Sequence, residues 1–418
     1  MLTAEENEFL CRIGPQTPMG SLMRCYWLPL LESGELRADG PPVRVRLLGE
    51  DLIAFRDTSG KPGLLQNACP HRGASLFFGR NEEHGLRCAY HGWKFDCTGK
   101  CVEMPNVPAE NDFKERVRTV AYSCQERNGL IWAYMGPEPA PPLPEFEANM
   151  ITDRPISVRR VLRKCNWVQA LEGDIDSSHL AFAHRRSSHT AEIRLTVPKK
   201  HFIKDIEVGS SYAAVFDTQE GVWFTLISHF LFPCYVMVPF GELGGHEIAV
   251  RCWVPLDDYH TLYWDIMVVT GATETFLSRS ACEYLPATSD PLSRFNPVQC
   301  SANDYLLDRG MQQTTNFMGI SLTNVFLEDQ ALTESMGRIC DRSREHLGVA
   351  DKMIIRTRRR LINAARALHA TGIVPPGVEA PEGYRRRAVK MVLSPDTDVF
   401  SAADRLITLS QRAAAGLR

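Results

Sequence analysis

The chain has 418 residues, of which 44% are hydrophobic and 23% are charged, and its formal net charge is −3. This composition is typical of a folded protein with two or three domains, and it excludes a disordered chain or a collagen-like repeat. The charge also excludes a nucleic-acid binder that works through bulk positive charge.

The first part of the chain, from about residue 41 to residue 136, is predicted to consist of strands and turns. Val43, Val45 and Leu47 alternate with arginines, which is the period of a half-buried strand. A second hairpin is predicted around the turn at residues 98–100. Residues 136–144 are too rich in proline for a helix or a central strand. The sequence therefore predicts a small all-β domain followed by a stiff connector.

The rest of the chain is predicted to mix helices and strands. Residues 166–182 are predicted to form a helix, and residues 212–226 and 246–269 are predicted to be rich in strands. Between residues 347 and 368 apolar side chains recur at helical spacing, which predicts a long amphipathic helix. The second domain is therefore expected to be larger and of the α+β class.

The thirteen cysteines do not suggest a disulfide framework, because they are scattered and odd in number. The first residues lack an export signal. No apolar stretch approaches the roughly 18 residues of a membrane span. These observations predict a cytoplasmic location, with most cysteines as buried thiols.

A first metal site is predicted in the β domain. Cys69 and His71 form one pair, and Cys88 and His91 form a second pair, with sixteen residues between His71 and Cys88. A structural zinc ion also takes two cysteines and two histidines, but usually as a Cys-Cys pair followed by a His-His pair. One cysteine and one histidine in each loop instead favour a [2Fe–2S] cluster of the Rieske type, in which each loop reaches both irons.

A second metal site is predicted within residues 166–184. Asp176 and His179 are three residues apart and share a helix face. His179 and His184 lie about 140° apart on an ideal helix, so the chain must unwind if both bind one ion. Two histidines and one carboxylate form the facial triad of non-haem iron oxygenases. Ordinary surface histidines near a helix end are the alternative.

The carboxylate ligand of this site must come from another segment. Asp329 is our choice, because acidic residues cluster at the start of a predicted helix there. Glu328 and Glu334 are interpreted as solvated acids in the first turns of that helix.

Nearly the whole chain resembles the oxygenase component of Rieske non-haem iron aromatic-ring hydroxylases, and most closely the phthalate 4,5-dioxygenase group. The resemblance rests on both cluster loops, on Asn-Trp-x-Gln-x-x-Glu-Gly-x-x-Asp-x-x-His-x4-His, and on Glu-Asp-Gln followed by Glu-Ser-Met-Gly. It implies an α+β fold, with an all-β Rieske domain at residues 25–140 and a catalytic domain at residues 1–24 and 145–418. The catalytic domain is expected to have a large antiparallel sheet covered by helices, in a helix-grip (START-like) arrangement.

The resemblance also implies the roles of individual residues. The ligands of a [2Fe–2S] cluster would be Cys69, His71, Cys88 and His91, and those of a mononuclear Fe(II) would be His179, His184 and Asp329. Asp176 would be a catalytic residue that bridges a cluster histidine of one subunit to an iron-binding histidine of its neighbour. This bridge implies a homo-oligomer, typically a trimer.

The expected function is that of a terminal oxygenase. It would use O₂ and electrons from a separate NAD(P)H-dependent flavin and iron–sulfur reductase for the cis-dihydroxylation of an aromatic substrate. Monooxygenation or O-demethylation of methoxyarenes, or angular attack on diaryl ethers, needs the same ligands and stays open. The non-enzyme alternative is a Rieske electron carrier. The chain shows no nucleotide-phosphate loop of its own, and no nucleic acid or membrane is expected as a partner.

The substrate pocket is expected on the large sheet beside the iron. Residues 206–250 contain no lysine or arginine, whereas a phthalate dianion needs cationic partners. A neutral or singly charged aromatic is therefore at least as good a candidate. Substrate contacts are predicted for Ser177, Phe224, His229 and Phe232. Cations could come from Arg185, Arg186, Arg194, Arg251 or Arg309, which are otherwise interpreted as surface charges.

The basic run at residues 356–360 lies on the long predicted helix. It is interpreted as a solvated helix face, and a docking patch for an acidic electron donor is the alternative.

Overall fold

The computed structural model describes residues 1–185, 197–218, 220–239, 248–269 and 281–414, with side chains described through residue 408. Its fold combines sheets and helices, as expected for the α+β class. All thirteen cysteines are free thiols, and most of them are buried, as the sequence predicts. Among the described residues no helix combines the length and the apolarity that a bilayer span demands.

Two antiparallel sheets are built from residues 27–134. Their strands are β1 (Trp27–Glu32), β2 (Val43–Leu47), β3 (Glu50–Arg56), β4 (Pro62–Gln66), β5 (Arg80–Glu82), β6 (Gly85–Arg87), β7 (Lys94–Phe95), β8 (Cys101–Glu103), β9 (Ala121–Arg127) and β10 (Leu130–Tyr134). One sheet has the order β1-β10-β9-β4-β3-β2 and the other β5-β6-β7-β8. Both predicted hairpins are present as the pairs β2–β3 and β7–β8.

A third sheet dominates the rest of the chain. Its strands are β11 (Ile156–Arg163), β12 (Lys200–Ile206), β13 (Gly209–Asp217), β14 (Trp223–Leu231), β15 (Tyr235–Met237), β16 (Ala249–Asp257), β17 (His260–Val268) and β18 (Val389–Leu393). The strand order is β11-β17-β16-β15-β14-β13-β12, and β18 pairs with β14. Every described pair in this sheet is antiparallel, which agrees with the large antiparallel sheet that the sequence predicts.

The helices pack around this sheet. They are α1 (Ala4–Cys11), α2 (Pro18–Arg24), α3 (Glu147–Met150), α4 (Trp167–Ile175), α5 (Arg309–Thr314), α6 (Val325–Ser335), α7 (Lys352–Thr371) and α8 (Val399–Ala414). Alternate side chains of β13 and β14 face opposite sides. Tyr212 and Phe224 join the main core, whereas Ala213 and Ile227 pack with Val399 of α8. The sheet is therefore covered on both faces.

The predicted helix at residues 166–182 is shorter than expected. Asn166 caps α4 by accepting a hydrogen bond from the backbone N–H of Val168, and the helix ends at Ile175. Asp176 has φ −97° and ψ 102°, which is extended backbone. A single 3₁₀ turn at His179–Ala181 follows. The chain thus unwinds before His184, which is the condition that a shared ion imposes.

The long amphipathic helix is confirmed as α7, which ends at Gly372 with a left-handed φ of 70°. The interpretation of its basic run as a solvated face is wrong for Arg358, which is buried. Arg358 donates to Glu172 and Glu345, and Arg356 donates to Asp205. Most arginines of this run therefore form ion pairs within the chain.

The first and third sheets are joined by backbone hydrogen bonds. The N–H groups of Leu48 and Gly49, in the β2–β3 turn, donate to the carbonyls of Pro255 and Leu256 over 3.0 and 2.8 Å. Arg46 adds an ion pair with Asp257 at 2.9 Å. The β2–β3 turn therefore fixes the first sheet against β16.

Candidate metal centres

The two loops that carry the Cys-His pairs have the same backbone geometry. The N–H of Gly73 donates to the carbonyl of Cys69 over 2.8 Å, and the N–H of Gly92 donates to the carbonyl of Cys88 over 3.0 Å. Both glycines have positive φ, 75° and 76°, a conformation that other residues adopt only with strain. The glycine four residues after each cysteine thus closes a tight loop that turns the cysteine inward.

The donor atoms of these loops are placed for a metal cluster. Both cysteines are 2% exposed, and Nδ1 of His71 is buried without a hydrogen-bond partner among the residues that the structure describes. An orphaned buried nitrogen is costly unless it binds something, and a metal ion is a suitable partner. Burial raises the pKa of Cys69 to about 11, while the backbone N–H groups of His71 and Arg72 favour its thiolate. A metal ion that replaces the thiol proton removes this conflict, because it stabilises the buried thiolate.

The same residues fit two irons better than one zinc. Donor atoms around one tetrahedral ion lie about 3.3 to 3.9 Å apart. Within the described chain, the only three His, Cys, Asp or Glu side chains with ligand atoms within 4.8 Å of one another are His179, His184 and Asp329. No three of Cys69, His71, Cys88 and His91 therefore meet around a single ion. A [2Fe–2S] cluster, in which the cysteines and the histidines bind different irons, suits this spacing.

Aromatic side chains surround this first centre. The ring of His71 stacks on Trp93 at 4.3 Å between centroids and meets the edge of His91 at 4.4 Å. Tyr90 lies beside His91 and is 56% exposed. The histidine edge of the centre therefore faces the surface, whereas the cysteines lie inside.

The second centre is formed by the turn after α4 and by helix α6. Nε2 of His179 and Nε2 of His184 are 3.3 Å apart. Oδ1 of Asp329 lies 3.4 Å from the first nitrogen and 3.1 Å from the second. Donors about 2.1 Å from one ion and about 90° to 110° apart are separated by roughly 3.0 to 3.4 Å. The three side chains therefore fit one first-row metal ion and occupy one side of it.

The electrostatics of this triad also suit a metal ion. Burial alone would lower the pKa of His184, but the charge and hydrogen bond of Asp329 outweigh it, and the pKa rises to about 9. Burial would raise the pKa of Asp329, but the two histidines hold it far below its usual range. Three polar groups in this arrangement attract positive charge, which a divalent ion supplies.

Asp176 lies next to the triad. Its Oδ1 accepts hydrogen bonds from the backbone N–H and the hydroxyl of Ser178, at 2.8 and 2.6 Å. Its Oδ2 is 3.8 Å from Nδ1 of His179, which is longer than a hydrogen bond. The Asp176 side chain remains 22% exposed. One carboxylate oxygen is therefore held by the turn, and the other is directed at an imidazole and is partly open to solvent.

The structure distributes the four predicted substrate contacts over different places. Ser177 lies two residues before His179, and its hydroxyl is 3.1 Å from that of Tyr212. Phe224 packs on Phe216 on the same sheet face as Tyr212. Phe232 stacks on Tyr26, near α7.

His229 is on the opposite side of the sheet. It shares a strand face with Ile227, which packs against α8. Its ring nitrogens contact the Ser211 hydroxyl at 2.9 Å and the carbonyl of Arg387 at 2.9 Å. Strand alternation thus directs this side chain away from the face that carries Tyr212, and the substrate contact of His229 stays a prediction.

The five candidate arginines also separate. Arg251 is not a surface charge but a buried one, paired with Asp174 on α4. Asp174 also accepts from the indole N–H of Trp253 over 2.8 Å. Arg185 and Arg309 are exposed, and Arg186 and Arg194 lie outside the described residues. The ion pair of Arg251 thus supports α4, the helix that precedes His179 and His184.

The sequence interpretation of Glu328 as a solvated acid is also wrong. Its side chain is fully buried, and Oε2 lies 2.8 Å from Nδ1 of His184. The apolar pair Phe326-Leu327 immediately before it was a usable signal that the first turn of α6 is interior. Glu334 is partly buried and accepts hydrogen bonds from the backbone of Lys164 and from Tyr305.

Comparisons with known proteins identify the family of this chain. Residues 26–121 match the Rieske [2Fe-2S] domain family, and residues 209–384 match the family described as LigXa C-terminal domain like. The 3-chlorobenzoate-3,4-dioxygenase oxygenase subunit of Comamonas testosteroni is 41% identical over 406 residues, which cover 92% of this chain and 93% of that protein. The phthalate 4,5-dioxygenase oxygenase subunit of Pseudomonas putida is 36% identical and covers 88% of each.

A third relative has a different kind of activity, and solved structures share the fold. The 5,5'-dehydrodivanillate O-demethylase oxygenase subunit of Sphingobium sp. is 34% identical over 87% of this chain and 80% of its own length. Pseudomonas putida CBB5 NdmA superposes with a TM-score of 0.61 at 19% identity, over 88% of this chain and 96% of that chain. The chain therefore belongs to the Rieske non-haem iron aromatic-ring-hydroxylating oxygenases, as an oxygenase (alpha) component with a [2Fe–2S] cluster and a mononuclear iron.

Proposed function

We propose that this oxygenase component hydroxylates a substituted benzoate, an aromatic ring with one carboxylate, at an iron held by His179, His184 and Asp329. O₂ is the oxidant, and a separate NAD(P)H-dependent flavin and iron–sulfur reductase supplies two electrons. For dihydroxylation the balance is one arene, one O₂, one NAD(P)H and one proton, which give one cis-diol and one NAD(P)⁺. The proposal rests above all on the three donor atoms of the triad, which lie 3.1 to 3.4 Å apart.

The proposed reaction assigns separate roles to the triad, to the cluster loops and to Asp176. His179, His184 and Asp329 would hold the iron, which would supply the site of O₂ chemistry. Cys69, His71, Cys88 and His91 would hold the cluster, which would supply an electron, and the two imidazoles would raise its reduction potential relative to an all-cysteine cluster. Asp176, with one oxygen aimed at His179, connects the two centres.

A singly charged substrate is supported by the distribution of cations. Residues 206–250 carry no lysine or arginine. Arg251, the next cation along the chain, is buried and neutralised by Asp174. A dianion would need at least two cationic partners, whereas one guanidinium can bind one carboxylate through two hydrogen bonds. The relative that acts on 3-chlorobenzoate is also more similar to this chain than the one that acts on phthalate.

An oligomer is supported by exposed groups at both centres. Tyr90 beside the cluster is 56% exposed, and Phe182, between the two iron-binding histidines, is 53% exposed. Large exposed aromatic groups commonly mark interfaces between proteins. We propose a homotrimer in which the cluster of one subunit approaches Asp176 of the next. Measurement of the mass in solution tests this proposal, and a monomer at working concentration would contradict it.

The function is tested in two steps. First, iron and acid-labile sulfide are measured after anaerobic reconstitution, with three irons and two sulfides expected per chain. Asp329→Ala should lose one iron and keep both sulfides, whereas a pure electron carrier would hold only two irons. Second, turnover with isotopic O₂ on 3-chlorobenzoate, phthalate and a methoxybenzoate identifies the reaction. A diol with two labelled oxygens from the benzoate supports the proposal. Efficient turnover of phthalate alone contradicts the substrate class, and release of formaldehyde with one labelled oxygen indicates O-demethylation.

A further inference from the structure

We propose that Glu328 is a positioning residue that fixes the tautomer and the orientation of His184, and that Asn316 holds Glu328 for this purpose. The inference rests on the proposed iron site, because it assigns a function to the residue behind one of its ligands. Glu328 is fully buried on α6, where an unpaired carboxylate would be very costly. Its position next to Asp329 along the chain is what makes the arrangement possible.

One imidazole lies between two consecutive carboxylates. Oε2 of Glu328 lies 2.8 Å from Nδ1 of His184, and Oδ1 of Asp329 lies 3.1 Å from Nε2 of the same ring. Neighbouring side chains on a helix diverge by about 100°, so they can reach opposite edges of a ring that enters beside the helix. The two acids of the Glu-Asp pair therefore have different partners on one histidine.

This contact determines which nitrogen can bind a metal. A neutral imidazole has one N–H donor and one nitrogen with a free lone pair. A carboxylate accepts, so the hydrogen bond to Glu328 requires the proton on Nδ1 of His184. Nε2 then presents its lone pair toward His179 and Asp329, where the ion would lie. A carboxylate behind a ligand histidine also increases its basicity as a metal ligand.

Asn316 connects Glu328 to the loop that precedes α6. Its side-chain amide donates to Oε1 of Glu328 over 3.3 Å and to the carbonyl of Ser321 over 2.5 Å. The backbone N–H of the next residue, Phe317, donates to the carbonyl of Arg185 over 2.9 Å. One loop therefore holds both the carboxylate behind His184 and the backbone that directly follows this histidine.

Within the described part of the chain, the other histidine of the triad, His179, has no equivalent contact. Nδ1 of His179 is 3.8 Å from Asp176, compared with 2.8 Å between His184 and Glu328. The orientation of His184 is thus set within the chain, while Asp176 is partly open to solvent. We expect the loss of Glu328 to affect iron binding before it affects electron transfer.

The test compares Glu328→Ala, Glu328→Gln and the matched control Glu334→Gln, which alters another hydrogen-bonded acid of the same helix. The readouts are the rate at which a chelator removes the mononuclear iron and the electron paramagnetic resonance spectrum of the ferrous–nitric oxide complex. Glu328→Ala should weaken iron retention about 10- to 100-fold and leave the Rieske spectrum intact. Glu328→Gln, whose carbonyl still accepts from Nδ1–H, should recover most of the retention. Glu334→Gln should match the parent chain.

Two results would distinguish a failure of the positioning role from a failure of the proposed iron site. Parent-like iron retention and an unchanged nitrosyl spectrum in both Glu328 variants would overturn the positioning role alone. Parent-like retention in Asp329→Ala and His184→Ala as well would overturn the iron site itself. If Glu328→Ala fails to fold, Glu328→Leu, which fills the buried volume without a hydrogen-bond acceptor, takes its place. Weakened iron retention with a shifted nitrosyl spectrum in that variant supports the role, and parent-like retention with an unchanged spectrum contradicts it.

Discussion

Arg358 donates two hydrogen bonds to Glu172, from Nε to Oε1 over 2.5 Å and from Nη2 to Oε2 over 3.0 Å. Both side chains are buried. Arg342 approaches the same carboxylate, with Nη2 3.1 Å from Oε2. Burial would raise the pKa of Glu172, but the two arginines more than offset this, and its pKa is lowered. This cluster joins α7 to α4, the helix that leads into the turn carrying His179.

Replacing Glu172 by Gln should destabilise the protein strongly. It would leave the buried Arg342 without its counter-charge and Arg358 with only the carboxylate of Glu345, and breaking a buried pair in this way costs about 3 to 5 kcal/mol. Denaturant unfolding of the intact chain measures the loss. Glu8→Gln, in an exposed pair with Arg12 on α1, is the control and should cost under about 1 kcal/mol. Equal effects of the two substitutions would contradict the assigned role of the cluster.

His229 should make the stability depend on pH. Burial lowers its pKa to about 4, whereas the unfolded chain titrates near its ordinary value of 6.5. The unfolded state therefore takes up a proton first as the pH falls, so stability decreases between about pH 6.5 and pH 4. The loss from pH 7.5 to pH 4.5 should be about 2 to 3 kcal/mol larger in the parent chain than in His229→Gln. Parallel stability curves for the two proteins would exclude this cause.

The sequence predicts the local patterns of this protein better than the partners of its charged residues. Period-two alternation identifies β2, and helical spacing identifies α7. The Cys-His spacing points to two loops, because a loop of this kind is defined by residues close in the chain. The end of α4 at Ile175 is less predictable, since the residues up to 182 are compatible with a helix and the requirement of a shared ion becomes visible only in three dimensions.

Burial of charge depends on residues that are distant in the chain. Arg251, Glu328 and Arg358 all resemble solvated residues in the sequence, yet each is buried against a partner more than ten residues away. Strand alternation shows that His229 and Phe224 lie on opposite faces of the sheet, but it does not tell which face lies toward the turn that follows α4. The packing of α8 against Ile227 shows that the face of His229 is covered by α8 instead.

The glycines of the cluster loops offer a matched comparison. An added Cβ at Gly92 would lie 2.5 Å from Cγ of Pro105, whereas one at Gly73 would meet no described atom within 4 Å. Both substitutions place a side chain at positive φ, which costs about 1 to 3 kcal/mol. Gly92→Ala should therefore lose the cluster faster than Gly73→Ala when visible absorbance is followed during heating. The same rate in both variants would show that the contact with Pro105 is relieved without cost.

Asp176 provides the sharpest test of communication between the two centres. Its Oδ1 accepts from the backbone and hydroxyl of Ser178, and Oδ2 is aimed at His179. Asp176→Asn preserves the volume of the side chain. It replaces a carboxylate with two accepting oxygens by an amide with only one, and such an amide cannot accept a separate hydrogen bond from each of two imidazoles through two oxygens. We expect parent-like iron and sulfide contents and about 10- to 100-fold slower product formation.

The chain contains a natural control for this substitution. Asp341 makes the same two contacts with Ser343, at 3.1 and 2.6 Å, in an exposed turn. Asp341→Asn should therefore reproduce any effect of losing the local turn, without an effect on turnover. The decisive measurement is a single-turnover reaction in which the cluster is reduced beforehand and its oxidation is followed optically. Slow cluster oxidation in Asp176→Asn alone, with both metals retained, assigns the delay to electron transfer. Oxidation at the parent rate would mean that electrons reach the mononuclear iron by another route.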